Sequence, residues 1–152
     1  MVSDDVLIVI PTDPHWTPPE GAPERALAVL RSVVGEADEY AAQRHTTIMF
    51  VDCGQNLQRI RCPNCRAEVL LEWWQDLMER IWQVGFTDLE VRMACCRATV
   101  SLNDLDFDWP AGFALVEVWA RNPQLVQSLD VQALARLGEA LGHPVRQIRA
   151  HV

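Results

Sequence analysis

CPNCRAEVLLEWWQDLMERIWQVGFTDLEVRMACC, from Cys62 to Cys96, sets a cysteine pair at each end of one long helical pattern. Cys62-Pro63-Asn64-Cys65 is a tight turn in which two thiolates two residues apart can face one metal, with Pro63 fixing the backbone between them. Cys95-Cys96 is the other half of a four-thiolate set, brought back by the intervening helix. Four soft ligands suit a tetrahedral zinc ion and leave no open position for water, so the spacing predicts a structural zinc site on Cys62, Cys65, Cys95 and Cys96. Adjacent residues of a regular strand point to opposite faces, so both cysteines of the second pair reach one metal only if the chain kinks between them. Arg97 just beyond is compatible with such a break. Two other readings stand beside this one: Cys95 or Cys96 as a small buried apolar residue, and the CPNC turn as a redox dithiol.

The helix itself reads from Glu68 to Val84, with Gly85 as its stop, and carries two apolar stripes. Leu70, Trp73, Leu77, Ile81 and Val84 form one; Leu71, Trp74, Met78 and Trp82 lie about 100° around from it. Glu72, Asp76, Glu79 and Gln83 remain as the polar face. The second stripe is either buried in the core or a docking surface, for a partner or for a second copy of the chain, and Trp74, Met78 and Trp82 are its candidate contacts.

Upstream, Val6 to Ile10 and Thr46 to Val51 read as buried strands flanking a helix that starts at Pro23 and stops at Gly35. Strand, helix, strand suggests a parallel crossover pair. Asn56 to Arg61, Leu89 to Ala94, Thr99 to Leu102, Gly112 to Ala120 and Val145 to Val152 add further strand signals. A third helix is capped by Asp130 and closed by Gly142. No internal repeat is evident. The expected fold is one α+β domain over residues 1–152: a mixed or antiparallel sheet of about five or six strands, three helices mostly on one face, and a knuckle-like zinc cross-link.

The 21 acidic residues outnumber 13 basic ones, all arginine, for a formal charge of -8. Such a field repels a phosphate backbone and steers in a basic protein. Nucleic acid is a poor direct partner unless Arg59, Arg61 and Arg66 act together around the knuckle. No apolar run is long enough for a membrane span or signal peptide, and a cytoplasmic location follows as the expectation. In a reducing compartment the five cysteines point to metal or thiol chemistry rather than disulfides.

Two weaker patterns complete the reading. Parallel first and second strands would gather Asp13, His15 and Trp16 near Asp52 and Cys53, which is chemically sufficient for a cysteine nucleophile with a base; the plainer reading is a buried thiol at a strand end. Asp104, Asp106 and Asp108 alternate with apolar residues. Trp109 stands where a calcium loop needs glycine and Leu115 where it needs an acid, so the acids read as a solvated edge or a contact for a basic partner.

With IPTDPHW, VDCG, CPNC, CC, SLNDLDFDWPAGFA and HPVRQIRAHV all in view, the chain resembles an uncharacterised family of small bacterial proteins over most of its length. The resemblance implies that the cysteine pattern recurs and implies no activity. The functional expectation is a small acidic zinc-stabilised protein-binding module, of an immunity or scaffolding kind, acting on a more basic protein. A thiol-dependent enzyme using Cys53 or the CxxC dithiol is the alternative, and a nucleic-acid-associated zinc module the third.

Overall fold

The computed structural model describes residues 3–152 and is α+β, as the sequence predicts, with eight strands and three α-helices. Four strands make the main sheet: β1 (Asp5–Pro11), β2 (Glu39–Val51), β7 (Gly112–Arg121) and β8 (Val145–His151), in the order β2-β7-β1-β8 with antiparallel neighbours throughout. The first and second strands do run in the same direction, but β7 lies between them, so they are not the neighbouring parallel pair that strand-helix-strand suggests. With α1 (Ala22–Val34) after β1 and α3 (Val131–Leu141) before β8, the sheet has the split β-α-β arrangement of ferredoxin-like domains.

Alternation along β1 explains how the layers assemble. Leu7 and Val9 pack with Val118 and Ala120 against Ala26, Leu30 and Val34 of α1 and Ala133, Leu137 and Leu141 of α3. Ile8 and Ile10 face the other way and join Ile148 and Ala150. Because both faces of β1 are buried, it reads as a continuous apolar run. Strand β2 is longer than its apolar run, beginning at Glu39 rather than Thr46. Its first half is polar and alternating, which weakens the signal of a buried strand.

A shift of register between Arg44 and Met49 lets the far ends of β2 and β7 bend. Val51, Cys53 and Ala114 consequently fold over the second face of the sheet, against Ile8, Ile10 and Ile148. Gly54 then bridges to His151 at the end of β8, and the Gln55 amide donates to the His151 carbonyl at 2.9 Å. Gly54 has φ +64°, and a Cβ there would lie 2.3 Å from the His151 carbonyl oxygen. Gly54→Ala should therefore cost about 1–3 kcal/mol of stability. Urea unfolding is the check, and a variant with an unchanged midpoint would remove this strand-end contact from the account.

Everything between β2 and β7 is an insert. It holds β3 (Ile60–Arg61) paired with β6 (Asp106–Phe107), α2 (Leu71–Val84), the hairpin of β4 (Glu90–Arg92) and β5 (Thr99–Ser101), and one 3₁₀ turn at Leu102–Asp104. Its core joins Ile60, Val69, Trp74, Leu77, Phe86, Leu89, Met93 and Phe107 to Ile48 and Phe113 of the bent strands. Helix α2 starts at Leu71, later than the periodicity suggests, because Leu70 is extended (φ −67°, ψ 127°) and the preceding Val69 amide bonds the Ile60 carbonyl.

Asn103 locks the insert to the sheet. It is buried, donates from Nδ2 to the Thr12 carbonyl, and accepts the Phe113 amide at 2.9 Å. Arg146 of β8 donates to the Asn103 and Ala111 carbonyls at 3.1 and 2.9 Å. Burial lowers the Arg146 pKa from its ordinary value, and the nearby Asp104 carboxylate opposes that shift.

Candidate metal centre

Both cysteine pairs sit in turns of the same design. In the first, the Cys62 amide donates to the Ala67 carbonyl at 2.9 Å and the Arg66 amide to the Cys62 carbonyl at 3.0 Å. In the second, the Met93 amide donates to the Ala98 carbonyl at 2.9 Å and the Arg97 amide to the Met93 carbonyl at 2.8 Å. Arg66 and Arg97, at matching positions, are both left-handed, with φ of 68° and 62°. Strand β4 ends at Arg92. Cys95 and Cys96 therefore lie in a turn, and the kink that their adjacency demands is the turn itself.

The two knuckles bring four sulfurs together, with the Sγ atoms of Cys62, Cys65, Cys95 and Cys96 all within 4.8 Å of one another. Cys62 and Cys96 are 3.8 Å apart at Sγ, and Cys65 and Cys95 are 3.4 Å apart. Sulfurs at about 2.3 Å from a tetrahedral centre stand about 3.8 Å from each other. The spacing and the donor set thus fit a metal ion, and no other group of three or more such ligands lies together among the described residues.

As free thiols, Cys95 and Cys96 are shifted in opposite directions. Cys95 is pushed up to about 12, first by desolvation and then by hydrogen bonds with Cys65, Cys62 and Cys96. Cys96 is drawn down to about 7, first by the Asn64 side-chain amide, whose Nδ2 lies 3.4 Å from its sulfur, and then by the Ala98 backbone amide. Donors aimed at a sulfur favour its thiolate, which is the form that binds metal. The sequence carries a faint sign of this design, too short to register as a repeat by itself: Cys65-Arg66-Ala67 is echoed by Cys96-Arg97-Ala98, marking two copies of one turn.

The other candidates fare differently. Trp74 belongs to the core, 6% exposed, with its ring edge-on to Phe50 and Phe107 at 5.7 and 5.6 Å. It presents nothing to a partner, because the helix turns that position toward the bent strands. Trp82 is 61% and Leu71 46% exposed, with Met78 half-buried between them, so part of the second stripe stays at the surface. Asp106 pairs with Arg66 across the knuckle. Asp108 accepts the Gln58 and Trp109 amides; burial acts to raise its pKa, but the amide bonds outweigh that and hold it below the ordinary value. Asp104 is exposed beside Arg146.

Cys53 is fully buried and donates to the Trp109 carbonyl, and burial pushes its thiol up to about 11. The residues expected to join it are elsewhere: His15 Nε2 bonds the Thr87 carbonyl, and Trp16 packs on His143. The bent end of β2 carries Cys53 under the sheet to β8, away from the loop that follows β1. Of the knuckle arginines, Arg66 is held by Asp106 and Arg59 approaches Glu68 at 4.0 Å.

Fold and site together define a class: a split β-α-β domain with a four-cysteine, metal-competent knuckle pair inserted between its second and third core strands. No protein-family model matches the chain, and no curated protein or solved structure matches it either. None of the described helices is long and apolar enough to cross a membrane.

Proposed function

We propose that the four cysteines hold a structural zinc ion and that the chain is a protein-binding module, taking a more basic protein on the surface flank of α2. The sulfur cluster, with all four Sγ atoms within 4.8 Å, carries the first part of the reading. Four thiolates complete a tetrahedral shell, so the metal has no position for substrate and its role is to fasten the insert. Elemental analysis of reduced protein should find one zinc per chain. Iron in its place, or no metal, would overturn that part.

The binding role is supported by Leu71 and Trp82, which this chain leaves exposed with half-buried Met78 between them, beside the acids Glu72, Asp76 and Glu79. An aromatic anchor next to negative charge suits a partner that presents an apolar side chain amid basic ones. The chain's charge of -8 acts in the same direction at longer range. A basic protein captured by the native chain should be lost, about tenfold or more in affinity, on Trp82→Glu, while zinc content stays at one per chain. Binding that survives the substitution excludes this flank. Sedimentation showing the chain paired with itself through Trp82 would replace the basic partner with a second copy.

A further inference from the structure

The two knuckles are unequal copies, and the inequality falls on the metal ligands. Cys62 opens the first turn and is fully buried; the matching position of the second is Met93, 1% exposed, which has no thiolate to offer. The fourth sulfur comes instead from Cys95, the counterpart of Asn64 in the first knuckle. A residue at that place stands on the outside of the turn, and Cys95 is exposed. So is Cys65, whose Sγ is the sulfur 3.4 Å away. The buried ligand Cys62 pairs instead with Cys96 at 3.8 Å. The cluster thus has an inner pair and an outer pair, and solvent reaches the outer one.

We propose that Cys65 and Cys95 form a peroxide-responsive modification site, whose oxidation to a disulfide expels the metal and releases the insert. This rests on the zinc reading above. The chemistry closes with a hydroperoxide as oxidant. The Cys95 thiolate attacks one peroxide oxygen, the O–O bond breaks, and hydroxide leaves from a sulfenic acid. The Cys65 thiolate then attacks the Cys95 sulfur, forming the S–S bond as the S–O bond breaks and a second hydroxide leaves. Two thiolates lose two electrons, the peroxide gains two, and two protons from solvent complete two waters. The sulfurs have to close by about 1.4 Å to reach bonding distance. Cys62 and Cys96 alone are too few to retain zinc, which leaves for solvent as they take up protons.

The test begins with zinc content of the reduced full-length chain, since a chain without zinc denies the metal reading before any oxidant is added. Zinc-loaded protein is then titrated with hydrogen peroxide while released zinc is read with a chromogenic chelator and disulfides are mapped by peptide mass spectrometry. The expected result is one zinc released per chain, Cys65–Cys95 as the major disulfide, and recovery on adding dithiothreitol and zinc. Met93→Cys combined with Cys95→Ser moves the fourth ligand to the buried position and should slow release about tenfold. Equal release rates from the native chain and that variant overturn the proposal. So does a native chain that keeps its zinc, or whose major product joins another pair; that map decides the matter even if the double variant fails to take up zinc.

Discussion

With zinc held as proposed, its removal by chelation or by Cys62→Ser should unfold the insert between β2 and β7 while β1, β8, α1 and α3 keep their structure. Besides the metal, the insert has its apolar core and the Asn103 bonds, but little regular pairing to hold it. Its ladders are two and three residues long, and α2 buries Trp74 and Leu77 with Trp73, Met78 and Ile81 only partly covered. Isolated hairpins of that size are marginal in water. A structural zinc ion contributes on the order of 10–16 kcal/mol at neutral pH, comparable with the whole net stability of an ordinary domain at about 5–15 kcal/mol. The main sheet is different, with seven residues of β1 paired to β8 and two helices covering one face.

Hydrogen exchange followed by mass spectrometry distinguishes the regions. Peptides spanning 60–108 should lose protection on metal removal and those from β1, α1 and β8 should keep theirs; uniform loss, or none, would contradict this division. The pH dependence has a definite sign. Cys95, pushed up to about 12 as a free thiol, carries a proton at neutral pH that the metal has to displace. Affinity therefore falls as pH falls, and acidification should melt the insert ahead of the sheet.

Trp74→Ala should cost about 3–5 kcal/mol, whereas Trp82→Ala should cost under about 1 kcal/mol. The two residues sit on one helix and look alike in the apolar pattern. Trp74 lies between Phe50 of β2 and Phe107 of β6, and Phe50 in turn touches Phe113 at 5.0 Å. Removing its indole opens a cavity where α2 meets the bent strands. Trp82 pairs with the Phe86 ring at 6.0 Å between centroids and has most of its surface in water. Urea denaturation of the zinc-loaded proteins measures the contrast, and similar losses for both would show that the helix face is assigned wrongly.

Much of this architecture was legible because short-range physics enforces it. Apolar runs at Val6 to Ile10 and Gly112 to Ala120 mark the two central strands of the main sheet, and Asp130, Gly35 and Gly142 mark helix ends, where backbone groups need caps or a left-handed residue. The four cysteines announced a candidate metal centre because soft sulfur ligands in that number match a tetrahedral ion. The first half of β2 and the start of α2 were not legible. Polar alternation gives a weak strand signal in Glu39 to His45, and the Val69 amide abandons the helix for the Ile60 carbonyl.

By itself, then, the sequence determined that the chain is α+β and which four cysteines meet, since both follow from side-chain periodicity and from the ligand chemistry of sulfur. Only the tertiary structure decided three things. It set β7 between β1 and β2, because strand order follows from long-range pairing that no local pattern encodes. It divided one apolar stripe into a core tryptophan and a surface one, because burial depends on what the helix packs against. And it turned Cys95 and Cys96 toward one point, because a turn repeated from the first knuckle replaced the strand that adjacent cysteines would otherwise oppose.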